Sequence, residues 1–321
     1  MRKIIRVSIN VLVLVLIIGF VLYIANSLGK NEPIFGSIHI GGEPSSYKKI
    51  STIKTKSEII RFDLSEDRIW VALSHEVLIF NKEGALLKQF PVEQEVRDIK
   101  VEDNRIYLLY PASVEVYTVE GEKISGWKAQ RINSDYCSMA LSSEYVFVTD
   151  AGNKNICKYT KEGDFMAVIL SPDGFIIPSY SFDIVNIRDT IYCGNSGRHK
   201  IENYTLEGEY ITSFGTSGNE TGSFAGCCNP AFLAVTANDD ILTSEKGVPR
   251  ISCFSREGTF KAMLLGSKAL GGGTKAYSMK VQGDKIYIAG KNALSVYVYD
   301  PQLAAQSACA GCTSDCPLRK I

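Results

Sequence analysis

The stretch Tyr159-Thr160-Lys161-Glu162-Gly163 is one of five copies of a short motif, in which an aromatic residue and two spacers precede Glu-Gly. The glycines of successive copies are 37, 42, 45 and 50 residues apart. Because one blade of a β-propeller occupies roughly 40–50 residues, this spacing predicts a propeller. A sixth, degraded copy lacks the Glu-Gly pair and reads Tyr299-Asp300-Pro301-Gln302. The other intact copies are Phe80–Gly84, Tyr117–Gly121, Tyr204–Gly208 and Phe254–Gly258.

Each repeat has the same internal order of short apolar segments. A first strand is followed by a polar turn and a second strand, such as Ile69–Ala72. A third strand ends in the aromatic residue of the motif, and a fourth strand, such as Tyr210–Phe214, follows the glycine. Alternating β-branched and aromatic residues favour strands, and glycine accommodates the positive φ of a tight hairpin. Six such units predict an all-β fold, a six-bladed β-propeller of four-stranded antiparallel blades over residues 47–305.

The degraded copy leaves two ways of completing the last blade. The segment Leu303–Ala308 has the length of a fourth strand, which would bring Cys309 to the same face as the loop that contains Cys227 and Cys228. In the alternative closure, the N-terminal segment Lys49–Lys54 forms the outer strand of the last blade. The chain would then leave from the opposite face, away from that loop.

The N-terminus has the pattern of a membrane anchor. Arg2, Lys3 and Arg6 precede the apolar run 7–25, which as a helix would reach about 28 Å, close to the bilayer core of about 30 Å. The pattern favours an uncleaved signal anchor, a transmembrane helix over 1–28, above a cleaved signal peptide. The positive charges before the run predict a cytoplasmic N-terminus. Residues 29–46 are then a tether, and the propeller lies on the periplasmic, extracytoplasmic side of a bacterial inner membrane.

The charge balance argues against one class of partner. The 321 residues include 35 basic and 35 acidic side chains, so the formal net charge is zero. Nucleic-acid-binding proteins usually carry a basic stripe or patch, and no such run is present in this sequence. We therefore expect no nucleic-acid partner.

The blades resemble NHL repeats over residues 56–302, as found in bacterial membrane-anchored propellers. The turn Asp150–Ile156 matches the Asp-x-x-Asn-x-x-Ile pattern of that family, and Asn195–Ile201 and Glu245–Ile251 match it more weakly. The segment Gly222–Pro230 is similar to the Gly-x-Phe-x-x-Pro entry into a blade, but it is longer and contains two adjacent cysteines. The resemblance implies a six-bladed propeller. Some six-bladed relatives are lactonases or lyases with a calcium or zinc site.

Polar residues cluster in the predicted loops between second and third strands. Polar groups that converge at a propeller mouth are typical of a binding site. In the alternative interpretation, the Asp and Asn side chains cap their own turns. The predicted ligand-binding residues are Asp150, Asn153, Asn195, Arg198, Glu245 and Arg250.

The nine cysteines fall into two groups. Four lie in predicted strands, where cysteine behaves as a small buried hydrophobe: Cys137, Cys157, Cys193 and Cys253. The other five form the pair in the Gly222–Pro230 loop and a cysteine-rich tail over 306–321, and they are predicted to form a metal site or disulfides: Cys227, Cys228, Cys309, Cys312 and Cys316.

The chemistry of these five cysteines stays open between disulfides, zinc, an iron–sulfur cluster and free thiols. The tail spacing Cys-x2-Cys-x3-Cys-Pro resembles the last three cysteines of the bacterial ferredoxin run. Zinc accepts four thiolates, and an exported chain commonly forms disulfides. A bridge between the neighbours Cys227 and Cys228 would be strained, so each is expected to pair elsewhere.

The leading functional hypothesis is a membrane-tethered binding or scaffold module for a protein, peptide or glycan, which requires no cofactor and no catalytic residue. The alternative is a redox or metal-binding protein, in which the tail cysteines meet Cys227 and Cys228. A third hypothesis is an enzyme of the lactonase or lyase type. The sequence offers little for catalysis, because His39, His75 and His199 lie far apart in the predicted organisation.

Overall fold

The computed structural model of the chain describes residues 46–306, and the side chains within 46–303. The predicted signal anchor, nearly all of the tether and the three tail cysteines lie outside the described residues. Within 46–306, no helix is long and apolar enough to cross a membrane.

The described chain forms six four-stranded antiparallel sheets, so the prediction of an all-β six-bladed propeller is confirmed. Blade 1 contains β2 (Arg61–Leu64), β3 (Arg68–Leu73), β4 (Glu76–Asn81) and β5 (Leu86–Pro91). Blade 2 contains β6 (Asp98–Glu102), β7 (Arg105–Tyr110), β8 (Ser113–Thr118) and β9 (Lys123–Lys128). Blade 3 contains β10 (Tyr136–Leu141), β11 (Tyr145–Asp150), β12 (Asn155–Thr160) and β13 (Phe165–Ile169).

The second half of the ring has the same order of strands. Blade 4 contains β14 (Ile184–Ile187), β15 (Thr190–Asn195), β16 (Lys200–Thr205) and β17 (Tyr210–Phe214). Blade 5 contains β18 (Phe232–Val235), β19 (Ile241–Glu245), β20 (Arg250–Phe254) and β21 (Phe260–Leu265). Blade 6 contains β22 (Ser278–Gln282), β23 (Lys285–Ala289), β24 (Ala293–Tyr299) and β1 (Tyr47–Lys54). Short helices are η1 (Pro178–Tyr180), η2 (Ser196–Arg198) and α1 (Pro301–Gln306).

The first strands of the six blades contact one another in a closed ring, β2-β6-β10-β14-β18-β22, around a central channel. The apolar core lies between the blades, in six clusters that correspond to the six blade interfaces. Between blades 1 and 2, for example, Trp70, Ile79 and Phe90 pack against Ile99 and Ile106. Each fully buried aliphatic or aromatic side chain contributes about 1.5–3 kcal/mol, so the contacts between neighbouring blades stabilise the ring.

The glycine of the repeated motif is required by both its backbone and its packing. In the five intact copies its φ lies between +84° and +100°. A Cβ on Gly84 would lie 2.9 Å from Ile53, one on Gly163 2.6 Å from Trp127, and one on Gly258 2.3 Å from Phe214. In each case the contacted residue belongs to the outer strand of the preceding blade. The motif therefore both makes a hairpin and fits one blade against the next.

The last blade is completed by the N-terminal strand. β1 pairs antiparallel with β24, from Tyr47 opposite Tyr299 to Lys54 opposite Ala293. A fourth strand over Leu303–Ala308 is therefore wrong, because Pro301–Gln306 form α1. The Asp300 carboxylate accepts hydrogen bonds from the Gln302 and Leu303 amides, at 2.9 and 3.4 Å. An Asp cap followed by Pro at the first position favours a helix start.

We predict that Gly258→Ala is more destabilising than Gly247→Ala. The two glycines have nearly the same φ, +93° and +89°, but a Cβ on Gly247 meets nothing within 4 Å. Each substitution therefore introduces the same backbone strain, about 1–2 kcal/mol. Only Gly258→Ala also overpacks against Phe214, which adds about 1–3 kcal/mol. Urea unfolding of the full-length protein measures both values. If the two substitutions lower the free energy of unfolding equally, the contact between blades is not what requires glycine at position 258.

We predict that Ile53→Ala destabilises the protein by about 2–5 kcal/mol, since Ile53 is 7% exposed in the core between blades 6 and 1. Ile50→Ala in the same strand is the control, because Ile50 is 49% exposed and its substitution should cost within about 0.5 kcal/mol. Thermal and urea unfolding measure the difference. If the two variants are equally stable, β1 does not close the ring.

Candidate functional site

The first strands carry charged side chains that cross the central channel. Arg61 of blade 1 lies 3.3 Å from Asp183, just before the first strand of blade 4, and 3.8 Å from Asp98 of blade 2. The Lys100 ammonium lies 2.7 Å from Asp98, and Lys280 lies 2.9 Å from the Asp63 carboxylate. Three cationic groups thus face three carboxylates, so the network is balanced in charge.

The carboxylates of this network also connect neighbouring blades. Asp63 of blade 1 accepts a hydrogen bond from the Val101 amide of blade 2, at 2.8 Å. Asp98 of blade 2 accepts one from the Met139 amide of blade 3, at 2.9 Å. Asp183 accepts one from the Leu233 amide of blade 5, at 2.7 Å. Every one of these carboxylates has charged and backbone partners, which indicates a structural role in joining the blades.

Asp98 is the most enclosed member of the network, at 1% exposed. Burial by itself raises the pKa of its carboxyl group, but the charges of Lys100 and Arg61 and the hydrogen bonds outweigh it, and the pKa lies below its usual value. The Ser138 hydroxyl lies between two carboxylates, 3.0 Å from Asp98 and 2.6 Å from Asp183. Asp98 is therefore held as an anion in the folded protein.

Three of the predicted ligand-binding residues end the second strand of blades 3, 4 and 5 and are fully buried. The Asp150 carboxylate accepts hydrogen bonds from the amides of Asp135 and Asn153, at 2.9 and 3.1 Å. The Asn195 side chain accepts from the Ile176 amide at 3.0 Å. The corresponding carboxylate of blade 5, Glu245, accepts from the Ala225 amide at 3.1 Å. Each side chain holds the loop that enters its own blade.

The other three predicted residues, Asn153, Arg198 and Arg250, have similar partners. The Asn153 side-chain amide donates to Asp150 at 2.9 Å. The Arg198 guanidinium donates to the carbonyls of the loop before β14, including Gly174 at 2.8 Å. Arg250 donates to Glu245 at 2.6 and 3.0 Å and to the Ser223 carbonyl. The six residues thus lie on one face of the propeller, as one pair in each of blades 3, 4 and 5, and their binding of a ligand stays a prediction.

A pocket opens on that same face, at the end of the channel where the first strands begin. Its volume is about 390 Å³, and its walls come from blades 1, 4, 5 and 6. None of the six predicted residues lines it. The lining residues most relevant to binding are Glu58, Ser179, Tyr180, Ser181, Phe232, Lys246, Lys275, Tyr277 and Lys291.

The pocket combines cationic groups with aromatic rings. Lys275 pairs with Glu58 at 3.0 Å, and the Lys246 ammonium donates to the Ser181 hydroxyl at 3.1 Å. Neither Lys246 nor Lys291 pairs with a carboxylate of the described residues. The three lysines and one glutamate give the lining a positive charge.

The aromatic walls are fixed to different degrees. The Arg61 guanidinium lies 4.2 Å from the centre of the Phe232 ring, which connects the pocket to the ion network of the channel. The Tyr277 hydroxyl lies 3.2 Å from the carbonyl oxygens of both Leu270 and Gly272 and can donate its proton to either. Tyr180 is 62% exposed at the rim. A ring-shaped or apolar group could therefore contact Phe232 and Tyr277, which are held by their neighbours, and the exposed Tyr180.

These pocket residues were not among the predicted ligand-binding residues. Phe232 begins β18 and Tyr277 directly precedes β22, whereas Lys246 directly follows β19 and Lys291 lies two residues after the end of β23. The repeat register marks those positions, but only the closed ring shows that blades 1, 4, 5 and 6 share one pocket. A second pocket of about 240 Å³ lies at the opposite end of the channel, where the charged groups of Asp63, Lys100 and Lys280 are already paired.

The described cysteines are six free thiols. Cys137 is half-buried, and Cys157, Cys193 and Cys253 are buried. Burial raises the pKa of the Cys137 thiol to about 12 and that of Cys157 to about 11. Among residues 46–306, no group of three or more His, Cys, Asp and Glu side chains could hold a metal ion. The tail cysteines lie outside that range, so the metal or disulfide prediction for Cys309, Cys312 and Cys316 stays open.

No protein-family model and no curated protein sequence matches the chain. Several solved structures share its fold. Virginiamycin B lyase from Staphylococcus aureus has a TM-score of 0.56 and 13% identity, over 78% of this chain and 99% of the other. A protein of unknown function from Bacteroides thetaiotaomicron has a TM-score of 0.57 and 11% identity, over 78% and 72%. The WD40 domain of Pan2 from Neurospora crassa has a TM-score of 0.54 and 8% identity, over 80% and 97%. At these identities the similarity shows the fold alone.

We predict that Asp98→Asn destabilises the protein by about 3–5 kcal/mol at neutral pH, because it leaves buried cations without their partner. The folded pKa of Asp98 is lowered, so its stabilising contribution is present above the unfolded value of about 3.9 and is lost as the pH falls through the folded pKa. The difference between the wild type and the variant should therefore shrink with acidification. Asp67→Asn is the control, since Asp67 belongs to an exposed pair with Arg68. A difference that does not depend on pH would contradict the assignment.

Proposed function

We propose that the protein is a binding module, and that the pocket at the channel end takes an anionic ligand with an apolar or ring-shaped part. The observation that carries this proposal is the presence of Lys246 and Lys291 beside Phe232, Tyr180 and Tyr277 in one cavity. Pockets for small ligands are typically about 300–1,000 Å³ and combine apolar walls with a few polar groups. The volume of about 390 Å³ fits this description.

The ligand chemistry follows from the lining. A carboxylate paired with a lysine ammonium forms a charge-assisted hydrogen bond, which is stronger than a neutral one. Aromatic side chains supply a large contact area for an apolar surface. The end of a peptide and a uronate sugar both present a carboxylate beside an apolar face. Both belong to the partners expected of a peptide- or glycan-binding propeller.

The titratable groups that line the pocket are better suited to binding than to acid–base catalysis. Among the described residues 46–303, the lining contains no histidine and one carboxylate, Glu58, which is paired with Lys275. General acid–base catalysis needs a positioned group that can exchange a proton with the substrate near the working pH. An enzyme of the lyase type remains the second candidate, supported by the fold shared with virginiamycin B lyase.

The cellular setting of the proposed function rests on the sequence. The apolar run 7–25 after Arg2, Lys3 and Arg6 would anchor the chain in a bacterial inner membrane. The propeller would then meet its ligand on the extracytoplasmic side. The NHL-type character of the blades rests on the motifs around Asp150, Asn195 and Glu245.

Calorimetric titration of the full-length protein tests the proposal with two pairs of probes. One pair is a tripeptide with a free C-terminal carboxylate and its C-terminal amide, and the other is a hexuronate disaccharide and its neutral hexose counterpart. We expect an acidic member of one pair to bind, and its neutral counterpart to bind much more weakly. Equal binding by both members of each pair, or binding by none of the four, would contradict an anion-binding pocket.

We predict that Lys291→Gln weakens the binding of the acidic probe roughly tenfold, or by about 1.4 kcal/mol, because the substitution removes a charge-assisted contact. Lys285→Gln is the matched control, because Lys285 is an exposed lysine of the same blade that does not line the pocket. The same titration measures both variants. A similar loss in the two would indicate a nonspecific charge effect.

A further inference from the structure

The loop between β17 and β18 presents two adjacent thiols beside the pocket. The Cys227 and Cys228 sulfurs lie 2.8 Å apart. Cys227 is exposed, whereas Cys228 is 5% exposed. The two thiols differ in access but are in direct contact.

The loop is fixed on both sides of the pair. The Asn229 side chain donates to the carbonyls of Ala225 and Lys246, at 2.6 and 2.9 Å, and accepts from the Lys246 amide at 2.9 Å. On the other side, the His199 ring contacts the Gly226 carbonyl. The contact between the two sulfurs is therefore part of an ordered arrangement.

The surroundings of Cys228 favour a thiolate. The Ser179 hydroxyl lies 3.7 Å from its sulfur. Burial raises the pKa of the Cys228 thiol, but hydrogen bonds from Cys227 and Ser179 and the charge of Lys246 outweigh burial and lower it overall. The contact with Cys228 raises the pKa of Cys227. A lowered thiol pKa next to a cation is typical of cysteines that take part in exchange reactions.

We propose that Cys227 and Cys228 form a redox-active dithiol, which closes to a disulfide between neighbours by exchange with a low-molecular-weight organic disulfide. The Cys228 thiolate takes the proton of the Cys227 thiol as the Cys227 sulfur attacks one sulfur of the organic disulfide and expels a thiolate. The Cys228 thiol then gives this proton to the departed thiolate and attacks the Cys227 sulfur of the mixed disulfide, which expels the second thiolate. Starting from one thiol and one thiolate, the protein loses two electrons and one proton, and the organic disulfide becomes one thiol and one thiolate.

The expected strain of such a bridge supports a reversible role. Cα atoms of neighbouring residues are about 3.8 Å apart across a trans peptide, shorter than the usual separation of about 4.4–6.8 Å in disulfides. Strained or exposed disulfides are the more readily reduced, labile and regulatory ones. The strain that argued for other partners of Cys227 and Cys228 is therefore compatible with an exchangeable bond between them.

The proposal does not depend on the ligand of the pocket. Ser179 and Lys246, which contact Cys228, also line the pocket, but the exchange reaction can be measured with no ligand present. If no probe binds the pocket, the dithiol proposal is unaffected. If Cys227 and Cys228 form no bridge, the proposed ligand binding is likewise unaffected.

Peptide mapping of the full-length protein tests the proposal. The protein is equilibrated with reduced and oxidised glutathione, the remaining thiols are alkylated, and the protein is digested with trypsin. The tryptic peptide 201–246 contains Cys227 and Cys228 and no other cysteine. Under oxidising buffer we expect this peptide to be unalkylated and lighter by two hydrogen atoms, and reduction should restore two alkylated cysteines. A bridge from either residue to Cys309, Cys312 or Cys316, or full alkylation under oxidising buffer, would overturn the proposal.

Single variants distinguish the role of Cys227, which attacks the organic disulfide first, from that of Cys228, which closes the bridge. In Cys228→Ser the second thiol is missing, so glutathione should accumulate as a mixed disulfide on the exposed Cys227. In Cys227→Ser the remaining thiol is buried, and little mixed disulfide should form. Cys137→Ser is the control, because its half-buried thiol lies in β10, and it should leave the bridge in peptide 201–246 unchanged. Equal glutathionylation of the two single variants would contradict the assigned roles, and thermal unfolding shows that each variant is folded.

Discussion

The pairing of β1 with β24 is the contact on which the rest of the molecule depends, because it turns a row of blades into a closed ring. It places Ile53 over the turn at Gly84 and completes the apolar interface between blades 6 and 1. It also covers β24, which would otherwise be an open sheet edge. Once the ring is closed, residues far apart in sequence meet in the channel, such as Arg61 and Asp183 from blades on opposite sides.

The ion network of the channel and the pocket are physically connected. Arg61 pairs with carboxylates on one side and packs against the Phe232 ring on the other. Since Phe232 lines the pocket, the wall of the proposed binding site is held in place by buried charges. Lys246 and Lys291 of the pocket belong instead to the surrounding loops, and neither pairs with a carboxylate of the described residues. The charges that join the blades are thus distinct from those of the proposed ligand site.

Much of the fold could be predicted from the repeat, because its glycine is constrained twice. Gly163 and Gly258 need a positive φ and leave no space for a side chain against the preceding blade, so the spacing of the motif reports the spacing of blades. The degraded copy at Tyr299–Gln302 is compatible from sequence with two closures, a fourth strand over Leu303–Ala308 or an N-terminal outer strand. The structure has the second, since Tyr299 ends the third strand, α1 follows it, and the fourth strand comes from the N-terminus.

The residues of the candidate site are harder to predict from the sequence than the fold is. Polar residues that follow second strands predict ligand contacts for Asp150, Asn195 and Glu245, but these side chains also hold the loops of their own blades. Local pattern cannot distinguish a polar group that stabilises its own loop from one that faces a shared cavity, since both occur at the same register position. The sequence by itself determined the all-β repeat, the number of blades and the existence of a cysteine pair, because these depend on local spacing. Only the tertiary structure decided which strand closes the ring and which side chains share the pocket, because both depend on contacts between residues from opposite ends of the chain and from blades that are not neighbours in sequence.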